Sequence, residues 1–85
     1  MVNDQEKKRR NSVLASLFFD PLSSPTYLCE QLETVHGINA SADLVRADLT
    51  WLQEMGLVRF DGHVASVTER GKDVARGRAK FPGDA

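Results

Sequence analysis

The chain has 85 residues, of which 41% are apolar, and its 11 lysines and arginines nearly balance 12 aspartates and glutamates, for a net charge of −1. That length holds one domain with a modest core, the apolar share suits a folded chain rather than a disordered one, and no apolar run is long enough to cross a bilayer. With charge this balanced, a phosphate-binding face has to come from local asymmetry rather than from a general basic excess.

Residues 4–19 read as a first helix. Val13, Leu14, Leu17 and Phe18 recur at three- and four-residue spacing and make one apolar face. The run Lys7, Lys8, Arg9 and Arg10 precedes that face as a solvated turn. The apolar stretch from Val13 to Phe19 is short and interrupted by Ser16, so it does not read as a secretory signal, and a cytoplasmic protein is expected. Asp20-Pro21 ends the helix, because a residue before proline avoids the α region. Ser23, Ser24 and Pro25 read as a linker, with Ser24 as N-cap and Pro25 as first residue of a second helix. Leu28, Leu32 and Val35 form its core stripe, and His36-Gly37 closes it.

Ile38, Asn39 and Ala40 connect to a third helix capped by Ser41, with Asp43 in its first turn, where the helix dipole favours an acid. Val45, Leu49 and Leu52 are its buried stripe, and Gly56 stops it. Two β-prone runs, 57–60 and 63–67, flank Asp61-Gly62, a two-residue hairpin signal that would set Phe60 opposite His63 and Val58 opposite Ala65. Thr68 caps a last helix from Glu69 to about Ala79, with Val74 and Ala75 facing inward. Phe81-Pro82-Gly83 opens a loose tail, so the domain spans residues 1–80 and the tail 81–85. The fold class is mainly α with a small β-hairpin, in the order helix, helix, helix, strand, strand, helix.

Two helices joined by a short glycine-containing turn make a helix-turn-helix. The stretch Ser41, Val45, Leu49, Leu52 and Gly56-Leu57-Val58 resembles the recognition helix and first wing strand of winged-helix regulators. Val67-Thr68-Glu69-Arg70-Gly71 resembles the end of the wing and the start of the closing helix in the same proteins. The run from Val45 to Leu52, with Gly56-Leu57-Val58, Thr68 to Gly71, Asp73 to Ala79 and Pro82-Gly83, further resembles a family of small, regulator-like proteins of Mu-like bacteriophages and prophages. The resemblance implies a winged helix-turn-helix and a phage or prophage transcriptional regulator in a bacterial host, with double-stranded DNA as partner.

If the third helix enters a major groove, Ala42, Asp43, Arg46 and Ala47 meet the bases, with Thr50 one turn later. Arg46 is suited to guanine through two hydrogen bonds. Asp43 and Asp48 sit awkwardly on such a face, since both repel phosphates. Arg59 and His63 near the hairpin tip, and Lys7, Lys8, Arg9 and Arg10, are candidate phosphate contacts. A second basic segment, Arg70, Lys72, Arg76, Arg78 and Lys80, is nearly free of acids after Asp73. Trp51 lies beside the third helix's stripe, either packed under the hairpin or exposed as an interface anchor.

Cys29 is the only cysteine, which excludes an internal disulfide and makes a small buried hydrophobe the plain reading. Cys29 and His36 are too far apart along one helix for a shared ion, so no metal or other cofactor is expected. With no phosphate loop, no nucleophile elbow and little room for a pocket, catalysis is not expected. The first and closing helices offer surfaces for a homodimer. The acidic balance keeps a second class of function open, a winged-helix adaptor that binds a phage protein in a packaging or assembly complex without reading DNA.

Overall fold

The computed structural model describes residues 4–83. Four helices, α1 (Asp4–Phe19), α2 (Pro25–His36), α3 (Ala42–Glu54) and α4 (Glu69–Ala75), surround a small sheet of β1 (Leu22–Ser23), β2 (Val58–Phe60) and β3 (Ala65–Val67). None of these helices is long and apolar enough to cross a membrane.

Local chemistry sets most of the helix boundaries. Ser24 accepts a hydrogen bond from the Tyr27 amide, Ser41 from Leu44 and Thr68 from Gly71, so each hydroxyl satisfies an otherwise unpaired N–H of a first turn. Gly37 ends α2 in the left-handed conformation, with φ of 67°. The turn brings the Ile38 amide to the Leu32 carbonyl at 2.8 Å and folds Ile38 against the core. Val35, placed on the buried stripe by its spacing, is instead 66% exposed. It sits in the last turn of α2, where Ile38, returning after the glycine, packs on the core in its stead.

The sheet has the order β1-β3-β2, antiparallel throughout. β1 falls where the sequence reads as linker. Its two residues pair with β3, Leu22 opposite Ser66 and Ser23 opposite Ala65. A strand this short carries no alternating pattern of its own and exists because β3 offers an open edge. The hairpin also differs in register. Phe60 faces Ala65 and Val58 faces Val67, so the loop is Asp61 to Val64 rather than Asp61-Gly62. The Asp61 carboxylate accepts the amides of both His63 and Val64 at 2.8 Å, which moves the turn one residue along the chain. The shift displaces the second strand by two positions, so the inward faces are preserved and Val58 and Ala65 are both buried.

The core is one cluster. Val13, Leu14 and Leu17 from α1 meet Leu28 and Leu32 from α2, Val45, Leu49 and Leu52 from α3, and Leu57, Val58 and Ala65 from the hairpin. α4 is shorter than its sequence suggests, because Gly77 turns the chain with φ of 81°. Val74 is buried, but Ala75, placed inward by sequence, is exposed. The expected tail over 81–85 does not begin at Phe81, which is only 5% exposed and joins the core. Residues 84 and 85 lie outside the described residues.

Gly71 has a packing reason. A Cβ there would lie 2.0 Å from the Leu57 carbonyl oxygen and 2.7 Å from Cγ2 of Val67. Gly71→Ala should therefore force α4 off the hairpin and cost about 1–3 kcal/mol, the usual range for overpacking. Urea unfolding of the two proteins measures the difference, and a variant as stable as the parent would contradict the close approach.

Candidate nucleic-acid interface

Burial of Val45, Leu49 and Leu52 fixes the rotation of α3 about its own axis. The opposite side is therefore presented to solvent. Asp43, Arg46, Ala47 and Thr50 are exposed, and Ala42 is half-buried at the helix start. The Thr50 hydroxyl donates to the Arg46 carbonyl at 3.0 Å, which leaves its oxygen free to accept. On the hairpin, Arg59 and His63 are exposed as the sequence suggests. Arg59, Ser66 and Leu22 form one row across the sheet's outer face, and Leu22 is 71% exposed. Lys8 is exposed and, with Gln5, Arg9, Ile38 and Asn39, lines a shallow cleft beside the α2–α3 connection. Lys7 is half-buried.

Arg9 and Arg10 do not join that array. Both turn toward Asp48, a carboxylate only 1% exposed on the inner side of α3. Arg9 engages it through Nε and through Nη2 at 2.9 Å, and the Arg10 Nε donates to it at 3.1 Å. Arg10 also pairs with Glu6 one turn back and lies 4.2 Å from the centre of the Trp51 ring. Trp51 in turn packs on Phe81, with ring centres 5.7 Å apart. The hydrogen bond to Asp48 holds the Arg9 guanidinium even more firmly protonated than usual, against the opposing effect of burial.

This network corrects two readings of the sequence. Arg9 and Arg10 are held inside the fold rather than offered to phosphate, because a buried acid is costly without cations to meet it. Asp48 is not on the outer face of α3, so it does not repel a ligand there. The signal was present in the spacing. Asp48 lies three residues after Val45 and four before Leu52, on the buried stripe. An acid at such a position calls for a cation from a neighbouring element, and the run 7–10 is the densest supply.

The exposed charge of α2 and α3 is mostly negative. Glu30, Glu33, Asp43 and Glu54 are exposed, against Arg46. Elsewhere, burial pushes the Cys29 thiol up, in keeping with a small side chain packed against the core. Among the described residues no three histidines, cysteines or acids are grouped to hold a metal. The hydrogen bonds from Val64 and His63 hold the Asp61 carboxyl below its ordinary range.

Asp48→Asn should be strongly destabilising, by about 3–5 kcal/mol, since it leaves two guanidinium groups facing each other in a partly buried seam. Chemical denaturation reads the loss, and a cost near zero would mean that the seam is solvated. At the hairpin turn, the lowered Asp61 value means that the ionised turn persists to lower pH than an ordinary aspartate allows and loosens as pH falls through that lowered value. The His63 and Val64 amide resonances should report an inflection below about 3.9, the reference for aspartate. An inflection at or above that reference would contradict the turn.

No family model and no solved structure matches the chain. The chain is 34% identical over 88 residues to the uncharacterized protein gp26 of Escherichia phage Mu, a match that spans 98% of this chain and 92% of that protein. A match of that extent at both ends carries the Mu-like resemblance of the sequence across the whole fold, and the chain belongs to the family of the phage Mu protein gp26.

Proposed function

We propose that this chain is a DNA-binding winged-helix module acting as a phage or prophage transcriptional regulator. The observation that carries the reading is the outward presentation of Arg46, Ala47 and Thr50 on α3 while Asp48 is turned into the core. The element order supports it too. A strand between the first two helices completes a three-stranded sheet with the hairpin, and β2 packs beside α3, where this reading puts a wing. In this reading α3 enters the major groove, Arg46 reads guanine and Thr50 accepts from a neighbouring base edge. Lys8, beside the α2–α3 connection, and Arg59, on the wing, contact phosphates on either side.

The four exposed acids of α2 and α3 favour a second reading, in which the same helix pair binds a phage protein in a packaging or assembly complex. Such a partner would be basic, and DNA would not compete for the surface.

An NMR titration of the labelled chain with duplex DNA at low salt separates the two. Groove binding shifts the amides of residues 41–50 and of the wing. An absence of shifts there at high protein concentration leaves only the adaptor reading. Arg46→Ala should weaken sequence-specific binding by about 1–3 kcal/mol and relax preference at one base position. Unchanged affinity and preference in that variant would remove Arg46 from the reading role.

A further inference from the structure

We propose that α4 and the segment after it form a second docking surface, and that its partner is the phosphate backbone of duplex DNA. The proposal does not depend on α3 entering a groove. Between positions 70 and 80 the chain carries Arg70, Lys72, Arg76, Arg78 and Lys80 against one acid, Asp73. Arg70, Arg76 and Arg78 are exposed, while Lys72 turns to Glu69 at 3.4 Å.

Charge runs near a terminus are often loose and solvated, but this one is held. After α4 the Gly77 amide bonds to the Val74 carbonyl at 3.0 Å, and the Arg78 amide to the Asp73 carbonyl at 2.8 Å. Phe81 then anchors the segment on Trp51. The two ends of the segment also fix its course. Arg76 lies over the Phe18 ring at 5.3 Å, and Phe81 reaches Trp51, which Arg10 covers. From Phe18 back to Arg10 is eight residues of α1, about 12 Å at the helical rise. The stretch from Arg76 to Phe81 therefore runs along α1 over a length in which duplex DNA carries about seven negative charges, with Arg70 at the other end of α4, beside Gly56.

Charge complementarity selects the partner. The exposed charge of α2 and α3 is mostly acidic, from Glu30, Glu33, Asp43 and Glu54, whereas α4 and its continuation carry three exposed arginines against one exposed acid, Glu69. On a near-neutral chain this ridge is the densest exposed basic stretch among the described residues, and the one a polyanion would meet most favourably. Exposed guanidinium groups on a backbone held in this way suit phosphate oxygens, which each guanidinium can meet with two hydrogen bonds.

The test is fluorescence anisotropy of a random-sequence duplex titrated with the full chain across a salt series. Three proteins are compared: the parent, Arg46→Ala, and the triple variant Arg70→Gln, Arg76→Gln, Arg78→Gln. The triple variant should bind with a plot of log affinity against log salt shallower by about 2.7, from 0.9 per lost phosphate contact. Arg46→Ala should change that slope by no more than about one. The double variant Arg70→Gln, Arg78→Gln leaves the Phe18 contact intact and should still flatten the slope by about 1.8. Parent-like slopes in the triple and double variants overturn the ridge, even if Arg46→Ala then abolishes binding and so supports the α3 reading. A loss confined to the triple and double variants supports the ridge and leaves α3 without a role on DNA. Failure of the parent to bind duplex overturns the proposal, as does binding to phosphatidylglycerol vesicles without binding to duplex.

Discussion

A carboxylate hidden between α1 and α3 holds the rest of this fold in place. Asp48 is almost fully buried, and an ionised acid in such a site has to be met by charge and hydrogen bonds. Two arginines from successive positions of α1 meet it from one side. The pairing fixes more than one contact. It sets the rotation of α3 against α1, because a turn of either helix would separate the charges. Through Arg10 and Trp51 it also reaches Phe81, so the segment after α4 closes on the same seam. A small core of aliphatic side chains could tolerate several slightly different packings. One buried acid with two partners selects among them.

The consequence for function is a separation of duties within a single helix. One side of α3 carries Val45, Asp48, Leu49 and Leu52 and belongs to the interior. The other side carries Asp43, Arg46, Ala47 and Thr50 and is free of internal work, apart from the hydroxyl of Thr50 bonding back to its own helix. The same separation sorts the N-terminal cations. Lys8 remains at the surface, while Arg9 and Arg10 are structural. A count of positive residues in the run would overstate the charge available to a ligand, and a count of acids on α3 would overstate the repulsion.

Helix limits were legible in the sequence because capping is local. Ser24, Ser41 and Thr68 satisfy amides three residues away, and Gly37 and Gly56 supply the left-handed turns that stop α2 and α3. The buried stripe of α3 was legible for the same reason, since its period is that of one helix. What escaped depends on distant partners. β1 is a strand only because β3 lies alongside, and Val35 is exposed because Ile38 folds back across a glycine. The hairpin register followed the Asp61 carboxylate rather than the Asp-Gly pair. Asp48 was read as a surface acid although its spacing put it on the buried stripe, because the two arginines that make burial tolerable lie nearly forty positions earlier. Of the candidate interface, Arg46, Ala47, Thr50, Arg59 and His63 stand exposed as the sequence placed them.

The contact at Gly71 has a mechanical side. The missing side chain lets α4 press directly on the Leu57 carbonyl, and the Thr68 hydroxyl holds the Gly56 carbonyl at 2.7 Å. The Thr68 amide adds a bond to Leu57 at 3.0 Å. The exit of α3, the root of the hairpin and the entry of α4 are thus one joint, with no slack loop between them. A load applied along α4 would tilt the hairpin as a lever about that joint. Whatever displaces one arm therefore changes the angle of the other.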